Sequence, residues 1–193
     1  MSFSGSDKKQ DFHRPADMPA GSTAQAIWFE QRRNPSVIDL GFRAAYKLAQ
    51  RMLTGYSYIF RKGSCGALVA LWYEGHILMV KNSYRRYYSL PGGYIAADEA
   101  PEHAGARELR EEIGISIPIE SLRPAYEGTG LFEGREDSVI IFEASLNAPP
   151  RMHIDNREVV WAAFVTADYA LGLPTSPHLA EYLRTCNSQR LKK

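Results

Sequence analysis

The stretch GGYIAADEAPEHAGARELREEIGI, residues 92–115, decides how the whole chain is read. Pro101 suits a first helical position, where its missing N–H costs nothing, and Gly114 suits the position just past a last turn. The segment between them predicts a helix over 101–113. That helix carries Glu108, Glu111 and Glu112 near its C-terminal end. On a wheel of about 100° per residue these three share an arc of about 100°. Ala106, Leu109 and Ile113 form a separate apolar arc that can face a sheet. Like charges four residues apart destabilise a helix, and its C-terminal end disfavours anions. A solvated face tolerates this at small cost. A hard divalent cation, which prefers oxygen ligands, turns the same cluster into a site. The glutamates alone leave both readings open. Ala104 and Gly105 fall on the carboxylate side of the wheel and, being small, are expected to leave space there. Gly105 costs the helix about 1 kcal/mol relative to Ala.

Working outward, the sequence before the helix reads as strands. ALVALWY and HILMVKN are apolar runs joined by Glu74-Gly75, which predicts a hairpin. The loop SYRRYYSLPGGY leads from them into the acidic helix. Downstream, SVIIFEASL and VVWAAFV predict two more strands, the second preceded by the polar turn HIDNRE. SPHLAEYLRTC predicts a helix capped by Ser176 with Pro177 at its first position. Upstream, Val37, Leu40, Ala44, Leu48, Met52 (or Leu53), Tyr56 and Ile59 recur at helical steps, while Arg43, Lys47 and Arg51 step by four along another face. This basic amphipathic segment, Val37–Phe60, is expected to pack its apolar face on the domain or on a second subunit. Docking to an anionic membrane or to another partner is the alternative. The order predicts an α/β (α+β) fold with helices on a mixed sheet. The expected organisation is a disordered tail at 1–24, a helical segment at 25–62, a folded α/β domain at 63–186 and a short tail at 187–193.

With 45% apolar and 23% charged residues the chain can build an ordinary globular core. A net charge of +1 provides no overall field for nucleic acid, so no specific nucleic acid partner is expected. Cys65 and Cys186 are too distant in sequence for a metal pair, and reduced thiols in a cytoplasmic protein are expected. The first residues lack the apolar core of a secretory signal, and no apolar run is long enough to span a membrane. The histidines His13, His76, His103, His153 and His178 show no metal-ligand spacing.

From Gly93 the residues follow G-x5-E-x7-R-E-U-x-E-E-x-G-U, U being aliphatic, through Glu99, Arg107, Glu108, Glu111, Glu112 and Gly114 to Ile115. In this the chain resembles the Nudix hydrolase family, over roughly residues 63–170. The resemblance implies an α/β/α sandwich, here preceded by an amphipathic helix. It also implies Mg²⁺- or Mn²⁺-dependent pyrophosphatase activity on a nucleoside diphosphate linked to another moiety, such as ADP-ribose, or on a nucleoside triphosphate. By the same resemblance Glu108, Glu111 and Glu112 are metal ligands and catalytic residues. The Gly93 carbonyl is a further ligand, and Arg107 fixes the glutamates. Glu99 is structural or a water-mediated ligand. A further acidic group outside the motif is expected, with Glu158 favoured over Glu133, Glu136, Asp137 and Glu143. Arg85, Arg86 and Tyr88 are the expected substrate contacts, Tyr84 and Tyr87 being further candidates for stacking on a base. A homodimer or peripheral contact is assigned to residues 37–60. The alternative to an enzyme is a non-catalytic Nudix-fold module that senses a nucleotide or docks a partner. Ala100 stands where a Ser or Thr cap is usual in the family.

Overall fold

A computed structural model describes residues 30–31, 34–46, 48, 64–132, 135–154 and 156–190. The expected tail at 1–24, the stretch 49–60, Glu133 and residues 191–193 lie outside the described residues. The strands are β1 (Glu30–Gln31), β2 (Ser64–Tyr73), β3 (His76–Asn82), β4 (Gly92–Tyr94), β5 (Arg123–Phe132), β6 (Arg135–Leu146) and β7 (Val159–Thr166). The helices are α1 over 37–46, α2 (Pro101–Ile113), α3 (Ala167–Leu171) and α4 (Pro177–Arg190). α4 thus continues through residues 187–190, part of the segment expected as a tail. Among the described residues no helix is long and apolar enough to cross a membrane.

The described strands form one mixed sheet in the order β1-β7-β3-β2-β6-β5, with β4 attached to β2. Helices cover both faces. Val69, Leu71, Leu78 and Phe164 pack with Leu109 and Ile113 of α2. Leu68, Trp72, Ile77 and Val165 pack with Leu179 and Tyr182 of α4. Burial on both faces explains why ALVALWY reads as an unbroken apolar run rather than an alternating one. On the α4 side, Trp72 Nε1 donates to the buried Tyr182 hydroxyl (3.1 Å), which donates to Glu143 Oε2 (3.0 Å). Tyr182→Phe leaves the indole N–H without this acceptor, so it is expected to cost about 1–3 kcal/mol, measurable by urea unfolding.

The β2–β3 hairpin turns at Glu74 (φ 45°) and Gly75 (φ 79°), the left-handed pair that a two-residue connection requires. Its strands pair directly only at Trp72–Ile77 and Tyr73–His76. Beyond that they diverge, and the segment Ser89–Tyr94 enters the gap. Val80 and Ser89 exchange backbone hydrogen bonds, Val69 N donates to Pro91 O, and β4 pairs with β2. The site described below forms at this split.

The predicted α2 appears with its expected bounds, Gly114 following at φ 74° and Ala100 preceding it with no side-chain cap. Ser176 Oγ accepts from Leu179 N, capping α4 as expected. β1, β4, β5 and α3 were not expected from the sequence. β5 contains Pro124, Gly128 and Gly130, which weaken a strand signal, but at the sheet edge such residues are tolerated.

Two expectations are corrected, the second only where it packs the apolar face of the N-terminal helix on the domain. Ala104 and Gly105 do not border open space: both are buried, and a Cβ at Gly105 would lie 3.0 Å from Val69 Cγ2. The carboxylate side of α2 therefore turns inward at Glu112. The described part of the N-terminal helix faces the domain with its polar stripe, Asp39, Arg43 and Tyr46, at spacings of four and three. Val37, Ile38, Leu40 and Leu48 are exposed. Ser36 starts this helix: its Oγ accepts from Asp39 N (3.2 Å), and Asp39 Oδ2 accepts from Ser36 N (2.9 Å).

Candidate active site

Glu112 is only 7% exposed. Its carboxylate is fixed by two donors from opposite sides of the strand split, Asn82 Nδ2 at 3.1 Å from the end of β3 and Gly92 N at 3.0 Å from β4. Burial pushes its pKa up to about 8, against these two hydrogen bonds, and the charges of Glu158 and Glu108 push in the same direction as burial. Such a carboxylate lacks enough positive charge around it to ionise readily.

Arg107 organises the outer carboxylates. Its Nε and Nη2 hold Glu99 in a two-pronged pair at 2.8 and 2.9 Å, Nη1 donates to Glu108 at 2.7 Å, and Glu111 Oε2 is 3.5 Å from Nη1. The Arg107 hydrogen bond and the Ala96 N–H together hold Glu99 down at about 2. Glu99 is thus a structural partner of Arg107 at the helix approach. The Glu108 pKa is raised because burial outweighs the nearby guanidinium. Glu111 is exposed.

Backbone glycines set the spacing between β4 and α2. Gly93 lies so near Glu108 that a Cβ there would be 2.6 Å from Glu108 Oε1. Gly92 has φ 142° and is pressed on the β2 backbone. No residue with a side chain fits either position without displacing something.

Glu158 reaches this region through a bulge. Lys81 pairs with Trp161 but Asn82 pairs with Val159, so Val160 is an extra residue in β7. The bulge puts Val159 on the α2 face although Trp161, two residues on, packs on the α4 face. Glu158, next to Val159, accepts from the Tyr84 hydroxyl at 2.7 Å, and its carbonyl accepts from Ser83 N. Glu143 instead meets Tyr182 on the α4 side, and Glu136 is exposed near the start of β6. The segment 131–137 belongs to β5 and β6 in its described residues.

Arg85 lies between aromatic rings, its guanidinium carbon 5.8 Å from the Tyr84 centroid and 5.6 Å from that of Tyr87. Its Nε is buried with no hydrogen-bond partner among the described residues. Burial lowers its pKa, but Tyr87, Tyr84 and Glu112 more than offset this, and the group remains a firm cation. Tyr87 packs edge-on against Phe132 of β5 at 5.0 Å. Tyr88 does not join the site: it is buried against Trp161 at 5.2 Å. Arg86 is exposed, its carbonyl accepting from Lys81 Nζ. Asn82 and Phe132 were missed from sequence. Asn82 ends a strand next to the arginine loop, which is a weak signal; Phe132 offered none.

The acidic groups offer only oxygen donors, and burial disfavours the ionised form of Glu112 and Glu108, which a hard cation would favour. Their chemistry fits such an ion. As arranged, with Arg107 occupying Glu108, no three acidic, His or Cys side chains among the described residues converge to hold one.

A family model described as NUDIX domain matches residues 65–186. A MutT-like protein of Streptomyces ambofaciens is 36% identical over 56 residues, covering 29% of this chain and 36% of the relative. The chain therefore spans only about a third of that relative's length in the match. A MutT protein structure from Methanosarcina mazei Go1 superposes with TM-score 0.57 at 17% identity, over 67% of this chain and 96% of the other. A C. elegans Ap4A hydrolase binary complex gives TM-score 0.57 at 19% identity, over 67% and 99%. The NUDIX domain of Shewanella oneidensis NrtR complexed with ADP ribose gives 0.56 at 18%, over 66% and 90%. At these identities the structures speak for the fold.

Proposed function

Since the chain belongs to the Nudix family, we propose that it hydrolyses the pyrophosphate linkage of a nucleoside diphosphate derivative with the help of a divalent cation. The supporting observation is Glu112, a buried carboxylate anchored by Asn82 and Gly92 with the charges of Glu108 and Glu158 nearby. Glu108, Glu111, Glu112 and Glu158 would hold Mg²⁺ or Mn²⁺ with the Gly93 carbonyl. When bound, the ion neutralises the diphosphate and acidifies a water. Glu112, the most buried of the four, orients that water and takes its proton. Arg107 acts as a positioning residue, restraining Glu108 against Glu99. Arg85 supplies its unpaired Nε–H and its charge to a substrate phosphate. Tyr87 and Phe132 offer an aromatic surface for a base.

The substrate classes are suggested by these contacts and by similar structures, among them an Ap4A hydrolase and a domain complexed with ADP ribose. Nucleotide sugars such as ADP-ribose, dinucleoside polyphosphates and nucleoside triphosphates are the classes to test. Purified protein with Mg²⁺ is expected to turn over at least one of them, and Glu112→Gln to abolish that turnover. Saturable nucleotide binding with no turnover in Mg²⁺ or Mn²⁺ would replace the enzyme by a nucleotide-sensing module.

Gly93→Ala gives a second check. The new Cβ would meet the movable end of Glu108 rather than backbone. The variant is expected to melt within a few degrees of the parent yet lose about tenfold or more in turnover. Parent-like turnover would remove Glu108 from the site.

A further inference from the structure

We propose that α1, outside the matched NUDIX domain, is a positioning element of the reaction: it braces Tyr84 and the 156–157 turn, which together hold Glu158 beside Glu112. The proposal rests on the reading that places Glu158 in the site.

Three contacts carry it. Arg43 grips Asn156 with two hydrogen bonds, Nε to the carbonyl at 3.0 Å and Nη2 to Oδ1 at 2.9 Å. Asn156 is buried and left-handed at φ 64°, a conformation that Asn tolerates better than most residues. Arg157 Nε stands 3.4 Å from Asp39 Oδ1, and its guanidinium carbon lies 4.4 Å over the Phe42 ring. Tyr46 stacks on Tyr84, with ring centroids 6.1 Å apart at 25°. The next residue after this doubly anchored turn is Glu158. Its carbonyl is tied to Ser83 N, and its carboxylate is tied to the hydroxyl of the same Tyr84 that Tyr46 covers. Glu158 is therefore held through its backbone by one end of α1 and through its side chain by the other.

The chemistry needs such a brace. Glutamate has several rotamers, so a carboxylate that is to meet an ion beside Glu112 must have its side chain held. The Tyr84 hydroxyl holds the Glu158 carboxylate more firmly when its own ring is fixed, and Tyr46 covers that ring. Outer partners of this kind govern how well a carboxylate binds an ion. The polar, not the apolar, stripe of α1 faces the domain because that stripe carries Asp39, Arg43 and Tyr46.

The test uses the full chain with Tyr46→Ala, Tyr84→Phe, their double variant, Tyr46→Phe and Glu158→Gln. Affinity for Mn²⁺ alone, read from the free-ion resonance signal, is measured beside kcat and KM on the best substrate of the panel. Tyr84→Phe is expected to weaken Mn²⁺ and lower kcat by about tenfold, with KM nearly unchanged. Tyr46→Ala is expected to lose part of the same effect, the double variant no more than Tyr84→Phe, and Tyr46→Phe to restore it. Additive losses, or parent-like Mn²⁺ affinity and kcat in Tyr46→Ala, overturn the brace. If Tyr46→Ala does not fold, Arg43→Gln replaces it: it is expected to weaken Mn²⁺ and lower kcat with KM nearly unchanged, and parent-like values overturn the brace. Glu158→Gln separates the two ideas. If it behaves like the parent, Glu158 is not in the site and the brace falls with it. If it is impaired while both tyrosine variants are not, only the brace fails.

Discussion

Glu112→Gln is expected to lower turnover by at least about 100-fold while removing the fall in melting temperature of ion-free protein between pH 4.5 and about 8. The two effects have one cause. In the folded chain burial lifts the Glu112 carboxyl to about 8 from a reference of 4.5. The folded state thus keeps a proton that the unfolded state has released, and stability falls as pH rises between those values. Below pH 4.5 both states are protonated and the loss is absent; above pH 8 it is complete. The amide cannot ionise, so the variant is expected to show a flatter melting profile over this window. Mg²⁺ is expected to raise the parent melting temperature more at pH 8 than at pH 5, and to do little for the variant. The Glu99–Arg107 pair has the opposite sign and another window. Its carboxyl lies at about 2 in the folded chain, so its contribution is present above pH 4.5 and is lost as pH falls through 2. Turnover of Glu112→Gln near that of the parent, or identical pH profiles in the two proteins, would remove Glu112 from its assigned role.

The other large effect is on the fold. Gly92→Ala is expected to destabilise the protein by about 3 kcal/mol or more. Its φ of 142° belongs to a region that side chains rarely adopt, and the added Cβ would lie 2.2 Å from Ala67 O and 2.7 Å from Leu68 Cα. Both are backbone atoms of β2, so no rotamer change relieves the clash. β4 must pull away from β2, and the Gly92 N–H that anchors Glu112 moves with it. Urea unfolding measures the loss. Gly93→Ala is the internal contrast: one position later, the obstacle is a flexible side chain, and the damage falls on the site. Equal stability of Gly92→Ala and the parent would contradict the β2–β4 pairing.

The neighbouring glycines show how far the sequence was legible. The motif spacing marked Gly93 alone, and only the packing distinguishes a fold glycine, Gly92, from a site glycine, Gly93. Glu108, Glu111, Glu112 and Arg107 were read correctly as one helix group, because helical spacing is a local property. Which of them turns inward was not legible. The wheel left a solvated face and a cation site both open, and the split between β2 and β3 accepts Glu112 beneath the helix. Glu158 was favoured by resemblance alone, and strand alternation offered no support, because the Val160 bulge reverses the alternation there. Tyr88 and Arg85 occupy the same loop, and no sequence period distinguishes the residue packed on Trp161 from the one beside Tyr84.

What this sequence determined by itself is what short segments encode: the bounds of α2, the capped start of α4, the apolar runs of β2, β3, β6 and β7, and the motif that identifies the family. Each rests on contacts within a few residues, where propensity, caps and spacing act directly. The tertiary structure decided the strand split, the bulge that redirects Glu158, the inward turn of Glu112 and the polar docking of α1. Those depend on pairings between residues far apart in the chain, such as Asn82 with Glu112 and Arg43 with Asn156. A local pattern specifies which side chains share a face, and only the partner strand or helix determines what that face meets.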